Sequence, residues 1–257
     1  MRLLISLQTL GDWAYDLKYH HKLQGFLYGL MDGTIYAGLH DRRGYKFFCF
    51  SNLFPPKDAK AGETRRFLLS SPNVNLIQVL EDKLAKVDVA HIGDGAFKVK
   101  DVRELDPQVE EGCIFVTGTP IVVRIPKERS GEYGIVSEKP YSYVYWRQQH
   151  SFAAFLKQLE DNLKKKYREY HEDEPSSEPI FEQFVFKKQV CNHVVFEGKE
   201  VMVFGSLWEF PISMLSEERW RLLQFGLDCG FGELNSLGFG FVNINYKLKN
   251  STANKGE

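Results

Sequence analysis

The chain has 257 residues, 43% of them hydrophobic and 26% charged, with a formal net charge of −1. That is ordinary globular composition, enough for one large domain or two of roughly 100–150 residues, and it excludes binding of nucleic acid by bulk positive charge. No apolar run approaches the roughly 20 residues that span a bilayer, and the opening MRLLISLQTL lacks a signal-peptide pattern, so a cytoplasmic chain is expected. Cys49, Cys113, Cys191 and Cys229 are far apart and form no Cys-x-x-Cys pair, which argues against a zinc ribbon or a redox pair.

Residues 3–7 alternate apolar and polar and predict a strand. Residues 20–32 carry Leu23, Phe26, Leu27, Leu30 and Met31 at helical spacing, with Gly33 as the stop. Residues 45–53 and 65–70 read as two strands across a polar loop. Val74, Ile77, Leu80 and Leu84 give a second amphipathic helix over 74–86, and 96–105 reads as a strand. That β-α-β-β-α-β order is ferredoxin-like. The acidic ELDPQVEEG at 104–112 marks a boundary, so the domains are taken as residues 1–110 and 111–248.

The pattern then begins again. A strand is expected over 114–125, and a helix over 152–170 with the basic LKKKYR near its end. A long hairpin follows over 181–196 and 200–210, turning at 197–199. The helix expected over 216–228 has Ser216 as N-cap, Glu217 and Glu218 at its positive end, and Trp220, Leu223 and Leu227 as its buried face. A last strand covers 237–248, and the tail 249–257 is expected to be disordered. The expected fold class is therefore α+β, two tandem ferredoxin-like (RRM-like, βαββαβ) domains, repeated in pattern and not in sequence.

Just before that last strand stands GFGELNSLGFGFV, residues 230–242. It follows a helix and precedes a strand, and it lacks the third glycine of G-x-G-x-x-G, so a dinucleotide fingerprint is ruled out. Gly230, Gly232, Gly238 and Gly240 could bare backbone N–H groups to an anion or let two backbones approach closely. A helix cap followed by a bulge is the plainer alternative.

The G-F-G-x5-G-F-G spacing beside the last strand resembles the repeat-specific CRISPR-associated endoribonucleases of the RAMP superfamily. HHKLQGFLYGLM and GLHDRRGYKFFCFSNLF are similar to that family's first helix, catalytic loop and second strand. The resemblance covers essentially residues 1–248. It implies a metal-independent nuclease without cofactor that binds CRISPR repeat RNA and cuts precursor crRNA, with Tyr28, His40 and Lys46 as catalytic residues. Arg42, Arg43, Lys187, Lys188, the four glycines, Asn235 and Ser236 are the expected RNA contacts. Partnership with effector-complex subunits and a homodimer are further implications. The family's usual Lys or Arg between the glycine pairs is missing from ELNSL, which leaves that contact to backbone N–H groups, Asn235 and Ser236.

The chemistry suits the residue types. RNA carries its own nucleophile, the 2′-hydroxyl. Cleavage then needs a base, an acid and a cation at the transition-state charge, and His, Tyr and Lys can supply them. His20 and His21, about two helical turns before Tyr28, are alternative proton carriers. The remaining histidines are scattered, and no H-x-x-x-H or H-x-H metal-ligand spacing appears. Each residue also has a plainer reading: a boundary tyrosine, a solvated histidine, an edge lysine. The basic run at 164–168 reads as a solvated face. Two rival functions stay open, a non-catalytic RNA-holding relative and an unrelated enzyme or adaptor on the same fold.

Overall fold

The computed structural model describes residues 1–136, 142–196 and 198–246. In the first half, β1 (Arg2–Thr9) lies at the centre of an antiparallel sheet. Its neighbours are β3 (Thr64–Ser70) and β5 (Gly95–Leu105); β2 (Cys49–Phe50) and β4 (Val89–Ile92) form the edges. Leu3, Ile5 and Leu7 point to one face of β1, where α1 (Tyr19–Met31) and α2 (Val74–Leu84) bury Leu23, Leu27, Leu76, Ile77 and Leu80 against them. Period two on the strand meets period 3.6 on the helices, so one apolar face of each is removed from water. Asn73 caps α2 by accepting from the Leu76 N–H.

The second half repeats the plan. Its sheet orders β11 (Val242–Tyr246), β6 (Cys113–Thr117), β10 (Lys199–Pro211) and β9 (Val185–Phe196), all antiparallel. Helices α4 (Phe152–His171) and α5 (Glu217–Cys229) cover it over an aromatic core that includes Phe115, Phe155, Trp208, Phe210 and Phe231. Ser216 caps α5 through the Arg219 N–H, as expected. Both sheets place the first and third strands of each unit at the centre, so the tandem ferredoxin-like reading holds.

Several local expectations need correction. The strand expected over 45–53 is only two residues long, because Phe47 has a positive φ of 54° and breaks the extended backbone. The strand expected over 114–125 stops at Thr117. Ile121 then bridges to Ser206 and Val122 to Glu233, and a separate ribbon forms from β7 (Arg124–Pro126) and β8 (Tyr143–Tyr145), with one-turn α3 (Lys127–Ser130) between them. β4 and this ribbon were not foreseen. Trp220 is 36% exposed; α5 turns Leu222, Leu223, Phe225 and Leu227 inward instead. Glu197 in the hairpin turn, residues 247 and 248 of the last strand, and the tail 249–257 lie outside the described residues.

The halves are joined through β1. The Arg2 guanidinium, 3% exposed, donates to the carbonyls of Leu227 (2.7 Å) and Val242 (2.6 Å) and to Asn243 Oδ1 (3.1 Å), and it lies over the Phe241 ring. Ser70 of β3 donates to the Asp228 carbonyl at 2.8 Å. These bonds fix the end of α5, and hence the glycine-rich loop that follows it, against the first half.

Candidate active site

The glycine loop is folded inward. All four glycines have φ between 68° and 87°, a region costly for any other residue. A Cβ on Gly232 would strike the Val122 carbonyl, one on Gly238 the Phe50 ring, and one on Gly240 the Phe231 carbonyl. Three of their amides are occupied as well: Gly230 N–H donates to Gly226, Gly238 to Asn235 and Gly240 to Pro120. Asn235 donates to the Phe231 and Phe239 carbonyls and accepts from Lys166. These residues latch the loop, whereas the sequence suggested open N–H groups. Ser236 alone among the loop residues expected to meet RNA has a side chain turned to the neighbouring half.

Lys166 is the residue sequence reasoning missed. It sits within the basic run read as solvated, yet it is 1% exposed. Its Nζ donates to the carbonyls of Gly230 and Gly232 (3.0 Å) and to Asn235 Oδ1 (3.0 Å). Burial pushes its pKa down. Lys166 thus holds the loop from beneath, with all three of its N–H donors spent on loop oxygens. The signal was present: Phe155, Leu159, Leu163, Lys166 and Tyr167 form one helical stripe, and all are buried.

His20 clamps the loop from the other side. Its ring stacks between Tyr19 (4.2 Å) and Phe239 (4.3 Å), and its Nδ1 donates to the Leu237 carbonyl at 2.8 Å. Burial lowers its pKa to about 4, so it stays neutral near pH 7. Sealed and neutral, it packs the loop, which argues against it as one of the two alternative proton carriers, His20 and His21. Gln24 of α1 also donates to the Ser236 carbonyl at 2.9 Å.

The three expected catalytic residues come together. The Tyr28 and His40 rings meet edge to face, centroids 4.8 Å apart. The Lys46 ammonium donates to the His40 carbonyl (3.1 Å) and to the Arg42 carbonyl, tying the turn that carries His40 to the approach to β2. Those bonds use two of its three N–H donors. Tyr28 lies off the stripe of Leu23, Phe26, Leu27 and Leu30, a position that predicts a side chain pointing away from the core; instead it is 9% exposed and packs on Phe48. Burial raises its pKa, and the Ser236 side chain hydrogen-bonds its hydroxyl. His40 is exposed, and its Nδ1 lies 2.7 Å from Asp41 Oδ1. A carboxylate only accepts, so Nδ1 carries the proton and Nε2 offers its lone pair. Burial, then the Arg42 charge, lower the pKa of Lys46.

A cleft of about 420 Å³ opens beside this group, lined by Lys46, Tyr45 and Phe48 from the first half and by Arg124, Asn235 and Ser236 from the second. Arg42 and Arg43 stand exposed on its rim turn, with Arg42 3.8 Å from Glu169. Lys187 and Lys188 are exposed on β9 and are not among the residues lining this cleft. Lys187 is the extra residue of a bulge and pairs with Glu209 at 2.8 Å. Among the described residues no group of three or more His, Cys, Asp or Glu could hold a metal ion, and no helix is long and apolar enough to cross a membrane.

Two tandem ferredoxin-like units latched by a glycine loop, with Lys46 on the wall of the cleft they share and Tyr28 and His40 beside it, give the class of protein. Comparisons with known proteins carry it further. A family profile described as CRISPR associated protein Cas6, C-terminal, matches residues 103–244. The chain is 33% identical over 255 residues to the "CRISPR-associated endoribonuclease Cas6 2" of Methanocaldococcus jannaschii, covering 95% of this chain and 99% of that one. It is 31% identical over 258 residues to the "CRISPR-associated endoribonuclease Cas6" of Haloferax mediterranei, covering 97% and 95%. A solved structure titled "CRISPR associated protein Cas6" superposes with a TM-score of 0.70 at 22% identity over 95% of this chain and 98% of that one. The chain belongs to the Cas6 family of CRISPR-associated endoribonucleases.

Proposed function

We propose that the protein binds CRISPR repeat RNA in the groove between its halves and cuts it by general acid–base chemistry without a metal ion. The observation that carries this reading is the contact of Tyr28 with His40, with Lys46 bonded to the His40 carbonyl. A helix, a turn and a strand approach deliver three reactive groups to one rim.

The 2′-oxygen attacks the adjacent phosphorus and the bond from phosphorus to the 5′-oxygen breaks. His40 Nε2 takes the 2′-proton, and Asp41, accepting from Nδ1–H, holds the ring in the tautomer that leaves Nε2 open. Tyr28, its pKa raised by burial, keeps its proton and is suited to donate to the leaving 5′-oxygen. The remaining Lys46 donor faces the developing phosphorane charge. The products are a 2′,3′-cyclic phosphate and a 5′-hydroxyl. Arg42 and Arg43 meet phosphates at the rim, and Lys187 and Lys188 on β9 take a more distant stretch of RNA. The cytoplasm, where precursor RNA is made, is the working place.

The test is a repeat RNA with a single 2′-deoxy nucleotide at the cut site, incubated in chelator. Intact RNA is cut and the deoxy RNA is not. Cutting of the deoxy RNA, or cutting that chelator stops and magnesium restores, contradicts the mechanism.

A further inference from the structure

A second cleft, about 500 Å³, runs on from the catalytic groove along α4. Tyr45, Arg124, Asn162 and Glu233 line both, so the two form one path. Gln158 and Asn162 stand four residues apart on one face of α4 and both line this second cleft. Asn162 Oδ1 and Gln158 Nε2 are buried, and neither has a hydrogen-bond partner among the described residues. One is an acceptor and the other a donor. Buried polar groups are rarely left so, and each such case calls for a missing partner.

The rest of the cleft says what kind of partner. Tyr45 comes from the first half and Tyr143 from β8, with Arg124 over the Tyr143 ring at 4.7 Å from its centroid. Charges nearly cancel there. Arg124 is paired with Glu233, and Lys165 shares the cleft with Glu128 and Asp161. A phosphate gains little from such a place. A flat, neutral group with a donor and an acceptor side by side gains both stacking and hydrogen bonds. Nucleobases present that edge when unstacked, and side-chain amides and tyrosine rings are what read them.

We propose that this cleft is a base-reading subsite. It takes one unstacked base of the RNA held in the catalytic groove, with Gln158 and Asn162 bonding the base edge and Tyr45 and Tyr143 supplying aromatic surface. The proposal rests on the RNA-cleaving reading above. It makes the amides of α4, in the second half, specificity determinants for a cut made by the first.

The probe is repeat RNA from the CRISPR array encoded with the protein, made as a set with one abasic nucleotide at each position in turn. One abasic position within a few nucleotides of the cut weakens binding to the parent by about tenfold, the scale of one base-edge contact. Gln158→Ala and Asn162→Ala bind intact RNA several-fold more weakly, and that same abasic position costs them less than it costs the parent. Gln158→Glu keeps the shape, removes the donor and shows the same loss. Melting temperatures equal to the parent's establish that the variants are folded. An abasic scan that is flat, or that is the same in parent and variants, while the parent still cuts, overturns the subsite alone. A parent that neither binds nor cuts repeat RNA overturns both readings.

Discussion

Tyr28 and His20 sit on the same helix, and the structure divides their work by burial. Tyr28 lies at the edge of the core, with its hydroxyl on Ser236 and its ring on His40. His20 is sealed between two rings, with both nitrogens directed at the second half, Nδ1 on Leu237 and Nε2 3.4 Å from Asn192 Nδ2. A histidine whose folded pKa is about 4 folds best when neutral. Unfolded chains take up its proton below about pH 6.5, and the folded protein resists until about pH 4. This contribution is therefore complete above pH 6.5 and is lost as the pH falls toward 4. Urea unfolding at pH 7 and pH 5 should show the parent losing about 2 kcal/mol more than His20→Gln. Equal losses in the two proteins would contradict the buried neutral clamp. Sequence could not separate these residues, because an adjacent His-His pair at a helix start looks solvated until the partner loop is known.

At the scale of elements, the glycine loop carries the most information. Its spacing marked the family, but its role was legible only in part. Sequence shows that four glycines are more than a cap requires. It does not show that three of their amides are already bonded within the protein. Nor does it show that Lys166 reaches up from α4 to hold two loop carbonyls. The buried stripe of α4 passes through Lys166, but a Lys-Lys-Lys run hides one buried member among exposed neighbours. Gly240→Ala should cost more than about 2 kcal/mol, since the new Cβ meets the Phe231 carbonyl at a φ of 70°. Gly112→Ala, with φ 79° but open space around it, should cost only about 1 kcal/mol. Denaturant midpoints compare the two; similar losses would mean that the loop yields. The short β2 and the split after Thr117 were missed for a related reason. Phe47 takes its shape against Tyr170 and Phe225 of the other half, and the Gly118 and Thr119 amides leave the strand to bond the Phe241 carbonyl, far along the chain in their own half.

For the whole molecule, the order of strands and helices was written in the two hydrophobic periods, and both ferredoxin-like units follow it. Their joining was not, since Arg2 reads as an ordinary polar residue near a strand start. Buried between the halves, it donates to the carbonyls of Leu227 and Val242. Arg2→Ala should destabilise the protein by about 3 kcal/mol and separate the unfolding of the two halves in calorimetry. A single unshifted transition would show that the joint does not depend on Arg2. The same joint places Ser236 of the second half on Tyr28 of the first, so the proposed chemistry belongs to the assembled pair.

The most direct test of the central claim is to incubate repeat RNA in chelator with the parent and with His40→Ala, reading a denaturing gel beside a binding assay. The account predicts cutting by the parent and a loss of roughly 10²–10⁴-fold in His40→Ala, with binding unchanged. Cutting that persists in His40→Ala, or a parent that binds the RNA and leaves it whole, would contradict it.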